Sequence, residues 1–234
     1  MQAVETLGLL RARSSAFKVV RMLQDPDPGV QAAASKALLA IRNTAVVPYL
    51  IGYLRDLSTM ETAKWLLMEL ADDKTVRRLL SSLRSDQIVV RRAAADILST
   101  IATREDAPAL APFLHNEDYR IRSFAARTLA WLGAIEYTGE IASLLKDENE
   151  SVQAAAVEAL GGLKAKGALK QLQYLLTDKS ARIRSLAVWA LGEIGDRNAV
   201  PAIAAAAGHK DSEVRRAAAR ALGDLKGEKA LKTL

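Results

Sequence analysis

Two columns of apolar residues run through this chain in step, and they constrain its fold more than any other feature. The first holds Val30, Met60, Val90, Ile121, Val152, Ile183 and Val214, with steps of 30, 30, 31, 31, 31 and 31 residues. The second lies eight residues later, at Leu38, Met68, Leu98, Leu129, Leu160, Leu191 and Leu222. A sequence that echoes itself at this period builds a stack of similar units rather than a body around a single centre.

Residues 178–207 show what one unit is. Asp178 and Ser180 carry side-chain oxygens that can accept from the free N–H groups of a first helical turn. Ile183, Ala187, Ala190, Leu191 and Ile194 then fall on one face of a 3.6-residue helix. Gly195 can close that helix in a left-handed conformation. Pro201 follows where a first helical turn tolerates it, and Val200, Ile203 and Ala207 continue a second apolar face. The unit is helix A, a turn, helix B, a turn.

Second-helix cores recur at Ala16, Val19 and Leu23; Val47, Leu50 and Leu54; Val76, Leu79 and Leu83; and Ala107, Leu110 and Leu114. Thr138, Ile141 and Leu145, then Leu169, Leu172 and Leu176, continue the series, and Pro48, Pro108 and Pro201 share one column. No strand-like alternation competes, so the chain reads as all α. One helix pair cannot bury both its faces, and stacked neighbours supply the missing partner. The column Ala34, Ala94, Ala125, Ala156, Ala187 and Ala218 keeps the first helix thin enough for that approach.

Composition narrows the chemistry. The chain has no cysteine, which removes disulfides, thiolate catalysis and cysteine-bound zinc. No apolar run approaches the roughly 18 residues a membrane span requires, and a cytoplasmic location is the expectation. The net charge is +6, with cations and anions interspersed rather than gathered in a dense stripe. A dedicated nucleic-acid binder would show that stripe.

The motif D-x-x-V-R-x-x-A-A-x-A-L-G stands as Asp211–Gly223, with close variants at Asp118–Leu129, Asn149–Gly161 and Ser180–Gly192. It resembles the short HEAT repeat of the phycobilin-lyase-like type. That resemblance implies a right-handed α-solenoid, a superhelix of stacked antiparallel helix pairs with helix B on the concave side. The array is read as one domain over 1–234. It has a partial unit 1–24, full units at about 25–55, 56–85, 86–115, 116–146, 147–177 and 178–209, and a partial unit 210–234. Leu7-Gly8 aligns with Leu191-Gly192, so the chain opens inside a helix A, and it closes at Leu234 inside a helix B. Such uncapped ends imply a longer protein or hetero-oligomeric contacts. The unit 56–85 matches worst: Lys64 stands in the alanine column, and Met60 and Met68 replace Val and Leu.

No catalytic constellation appears. His115 and His209 each sit in a turn, where they read as solvated residues rather than ligands. The repeated His-Glu pairs of HEAT-type di-iron hydroxylases are missing, and no phosphate loop, nucleophile elbow or H-E-x-x-H occurs. Neither a metal nor a cofactor is expected. Gly133 and Gly161-Gly162 read as helix C-caps. A ladder of Arg91, Arg122, Arg184 and Arg215 enters each first turn. It is read as structural, pairing with turn aspartates of neighbouring units (Asp86, Asp118, Asp147, Asp178 and Asp211), with anion binding as the rival role. Trp65, Trp131 and Trp189 occupy three different column positions, which argues against a shared aromatic platform.

The helix B positions outside the core vary freely and make the candidate recognition face: Lys18, Arg21, Tyr49, Tyr53, Arg78, Phe113, Glu140, Gln171 and Tyr174. Its first half is basic, through Lys18, Arg21, Arg77, Arg78 and Arg84, and its later half is neutral. Tyr and Arg are the residue types that most often anchor interfaces. The expected function is a non-catalytic scaffold or adaptor that binds another protein with an acidic or mixed surface. Two readings compete with it: a bilin lyase-like protein that holds a tetrapyrrole in its groove, and nucleic-acid binding by the basic N-terminal half.

Overall fold

The computed structural model describes residues 13–231. The expected openings at Leu7-Gly8 and Leu234 lie outside that range. Fourteen α-helices and their 3-10 flanks make up the described residues, with no strand among them. None of these helices is long and apolar enough to cross a membrane. The chain gathers into two compact units, up to Ala102 and from Thr103 onward.

The first unit holds α1 (Ala16–Arg21), α2 (Pro28–Ile41), α3 (Val47–Tyr53), α4 (Met60–Glu69), α5 (Asp73–Ser82) and α6 (Ile88–Ile101). First helices pack side by side as α2–α4–α6, second helices α3 and α5 lie against each other, and α1, α3 and α5 each pack on the first helix that follows. The second unit repeats this scheme. It begins with α7 (Ala107–Leu110), then runs through α8 (Tyr119–Trp131), α9 (Thr138–Ser143), α10 (Glu150–Gly162), α11 (Leu169–Tyr174), α12 (Ala181–Ile194), α13 (Val200–Ala206) and α14 (Ser212–Leu231). Here α8, α10, α12 and α14 form the layer of first helices. The last unit is one uninterrupted helix, where the repeat pattern calls for a turn after Gly223.

The alanine column is fully buried from Ala34 to Ala218, and so are Leu98, Leu129, Leu160 and Leu191. The poorly matching unit is shifted. Ala63 and Leu67 are fully buried, while Met60 and Met68 are only partly covered. The true equivalents are therefore Thr59, Ala63 and Leu67, one residue earlier than the apolar columns suggest. The step from Ala34 to Ala63 is thus 29 residues and the next, to Ala94, is 31. Two methionines at a plausible spacing disguise the shorter connection. This register also places Trp65 and Trp189 in one column, which corrects the reading of three separate positions.

Two further expectations change. Gly161 is no cap: it lies inside α10, where a Cβ would sit 2.9 Å from Trp189 Cζ3 and 3.0 Å from Ala190. Gly133 and Gly195 do adopt the left-handed conformation at helix ends, and Lys164 and Arg42 adopt it at the equivalent column with φ near 50°. In the last second helix Ala206 is buried and Ala207 exposed, the same one-residue shift seen where Leu175 is buried and Leu176 half-buried.

Candidate functional site

Each joint between units is built the same way. Its first residue (Asp25, Asp56, Ser85, Asn116, Asp147, Asp178 or His209) accepts a hydrogen bond from the backbone N–H two residues on, at 2.8–3.3 Å. This is the side-chain-to-backbone turn that Asp and Asn favour. A side chain in the following helix then reaches back to the carbonyl six residues earlier. Gln31 donates to the Asp25 carbonyl, Arg91 to Ser85, Arg122 to Asn116, Gln153 to Asp147, Arg184 to Asp178 and Arg215 to His209. In the shifted unit the Thr59 hydroxyl donates to the Tyr53 carbonyl at 3.1 Å. Gln31 and Gln153 break the arginine pattern without changing the task, since an amide N–H reaches the same oxygen.

Two of the arginines also reach the next joint. Arg122 clasps Asp147 with two bonds of 2.7 and 2.8 Å, and both side chains are about nine-tenths buried. The bond to Asp147 raises the Arg122 pKa against the opposing effect of burial. Burial pushes the Asp147 carboxyl up, but Arg122 and the Asn149 N–H outweigh it and hold it below the ordinary carboxylate value. Arg184 lies 3.5 Å from Asp211. Arg91 and Arg215 donate to carbonyls of their own joints. All four guanidinium groups donate to carbonyls of their own joints, while Arg184 Nε is buried without a hydrogen-bond partner.

His209 stands where the other joints use Asp, Asn or Ser, and its Nδ1 accepts from the Asp211 N–H at 3.0 Å. His115 is exposed, with Nε2 4.0 Å from Glu140. No group of three or more His, Asp or Glu side chains that could hold a metal occurs among the described residues.

The candidate recognition residues divide between the two units. In the first, Lys18, Arg21, Tyr49 and Arg78 are exposed and Tyr53 is half-buried. Tyr49 meets Phe17 edge to face at a centroid distance of 5.7 Å. Burial raises the Tyr53 pKa, partly offset by the Arg21 charge and reinforced by Tyr49, so these three side chains share one neighbourhood. Arg78 lines an open groove of about 500 Å³ between α3 and α5, together with Pro48, Ile51, Lys74, Arg77 and Ser81. In the second unit Glu140 and Gln171 are exposed, and Tyr174 projects with 79% of its surface free. Phe113 does not belong to the face: it is 3% exposed. It lies in a 3-10 flank, Ala111–His115, that packs on α8. The tighter winding turns residue 113 inward beside Leu114.

The groove adds Lys74 to the face, beside Arg77 and Arg78 that the sequence already placed there. Their signal was present in the sequence: Lys74, Arg77, Arg78 and Ser81 follow the i, i+3, i+4, i+7 spacing of one helix face. Across from them Pro48 and Ile51, three residues apart on α3, make an apolar wall. The Asp72 carboxylate at the start of α5 is occupied by the Thr75 N–H and hydroxyl, each at 2.7 Å.

A family model described as HEAT repeats matches residues 1–71, 76–138, 107–185, 138–202 and 172–234. No curated protein matches the chain. Among solved structures, an engineered protein aligns at 22% identity over 90% of this chain and 68% of its own, with a TM-score of 0.52. Human deoxyhypusine hydroxylase in complex with glycerol aligns at 24% identity over 82% of this chain and 78% of its own, with a TM-score of 0.45. The complex of CpcE and CpcF of phycocyanin lyase from Nostoc sp. PCC7120 aligns at 24% identity over 87% of this chain and 85% of its own, with a TM-score of 0.44. At such identities a likeness speaks to fold alone. The repeat columns, the two layers of paired helices and a family match along nearly the whole sequence agree that the chain belongs to the HEAT-repeat family.

Proposed function

We propose that this protein is a non-catalytic scaffold that binds another protein through the second-helix face of its first unit. One observation carries the reading: an open groove with a cationic wall (Lys74, Arg77, Arg78) and an apolar wall (Pro48, Ile51) stands on the same face as the Tyr49–Phe17 pair. Exposed aromatic and arginine side chains on rigid helices are what protein interfaces use as anchors. The excess of cations on this face favours a partner with an acidic or mixed surface.

The test is quantitative affinity capture from the native host with the wild-type chain and the double variant Tyr49→Ala/Arg78→Glu. The variant is expected to lose the captured protein, and Gln171→Ala/Tyr174→Ala to keep it. Undiminished capture by the first variant moves the site off this face. A visible absorbance change on mixing with bilin, or oligonucleotide binding that falls steeply with salt, would replace the reading with one of its rivals.

A further inference from the structure

The groove between α3 and α5 has a shape and charge pattern that select among acidic partners. Lys74 and Arg78 are one helical turn apart, a rise of about 6 Å, and Arg77 sits beside them on the same wall. None of the ion pairs formed by described residues involves Arg77 or Arg78. The facing wall, Pro48 and Ile51, offers no hydrogen-bonding side chain, and Gly52 next to it has open space around its Cα. In an extended peptide, residues i and i+2 point the same way and lie about 6.6 Å apart, while i+1 points oppositely. That repeat matches the turn spacing of the cations closely.

We infer that the groove binds an extended segment of the partner protein in which acidic and aliphatic residues alternate. Carboxylates at i and i+2 face Lys74, Arg77 and Arg78 on α5, and the intervening aliphatic side chain rests on Pro48 and Ile51 of α3. The Ser81 hydroxyl donates to the Arg77 carbonyl at 3.1 Å and marks the uncharged end of the cationic wall. The neighbouring carboxylate of Asp72, already bonded to Thr75, stands at the opposite end. Alternation is the distinguishing demand: a block of carboxylates meets the cations but leaves the apolar wall uncovered, and a nucleic-acid strand carries no aliphatic side chain between successive charges. The inference rests on the scaffold reading and names the kind of segment that reading would engage.

Fluorescence anisotropy with labelled heptapeptides tests it on the full chain. The probes are an alternating Glu/Leu peptide, a peptide of identical composition with its Glu and Leu residues in separate blocks, and an oligodeoxythymidine of similar charge. The alternating peptide is expected to bind about tenfold more tightly than the blocked one, and Arg77→Ala/Arg78→Ala to lose a comparable factor. Ile51→Ser, at a half-exposed position, is expected to erase the preference for alternation while keeping the salt dependence. Equal binding of the two peptides, or tighter binding of the oligonucleotide, overturns the inference and leaves a general polyanion groove. The capture experiment stands apart from this one. If Tyr49→Ala/Arg78→Glu abolishes capture while the peptides are not distinguished, the segment class is wrong and the scaffold reading survives. If the peptides are distinguished but capture is unaffected, the scaffold reading fails at this site.

Discussion

Gly161 and Gly162 are chemical twins in opposite surroundings. A methyl group on Gly161 would press on Trp189 and on the Ala190 backbone of the neighbouring helix, whereas a methyl group on Gly162 meets nothing within 4 Å. Gly161→Ala should therefore destabilise the second unit by about 1–3 kcal/mol through overpacking, and Gly162→Ala should stabilise it by about 0.5–1 kcal/mol through the lower entropy of the unfolded chain. Denaturant midpoints for the pair check both signs. Asp147 makes a second residue-scale case. Removing it in Asp147→Ala costs about 1–3 kcal/mol, because Arg122 keeps two carbonyl acceptors, at 2.9 Å each, and is not stranded. Since the folded state holds the Asp147 pKa below its ordinary value, its stabilisation is present above the normal carboxylate range and is lost as pH falls through the lowered value. Wild type and Asp147→Ala should accordingly converge in stability as the pH falls through and below the ordinary carboxylate range, as followed by urea melts at a series of pH values.

At the scale of the element, the joint between units behaves as a small independent structure. His209 shows how far its chemistry can vary, since an imidazole nitrogen replaces the usual carboxylate or amide oxygen as acceptor. His209→Asn should hold the turn, while His209→Ala should lose about 1 kcal/mol and speed amide exchange at Asp211. The helices themselves were legible in the sequence because periodicity reports burial directly: Ile183, Ala187, Ala190, Leu191 and Ile194 are all in the core. Pro48, Pro108 and Pro201 all sit in first turns, as their shared column implied. What misled was local winding and connection length. A 3-10 flank turned Phe113 inward, and a connection two residues shorter than its neighbours moved the register of α4 while Met60 and Met68 still imitated the pattern. A pattern of apolar residues does not distinguish a Cβ that is covered from one that merely could be.

On the scale of the whole molecule, stability is shared between adjacent helices. Ala156 is fully buried in α10, between α8 and α12. Ala156→Leu should cost about 1–3 kcal/mol, and the effect should be graded along the stack: amide exchange rises most in α8, α10 and α12 and least in α14. A uniform rise would mean that the second unit unfolds as one body. The proposed recognition face was partly legible at this scale, because Lys18, Arg21, Tyr49 and Arg78 stand in the columns that packing leaves free. The groove was not, since its depth depends on how closely α3 and α5 approach, and spacing along a chain carries no record of the distance between two helices. The joints have a further consequence. Each turn and the side chain that reaches back to its carbonyl bond to atoms no more than six residues away, so duplicating or deleting one whole module in such a gene would cut none of these bonds, whereas the Arg122–Asp147 and Arg184–Asp211 contacts do cross from one module to the next. The lineage could lengthen or shorten its reach by copying, and revise its outward side chains afterwards.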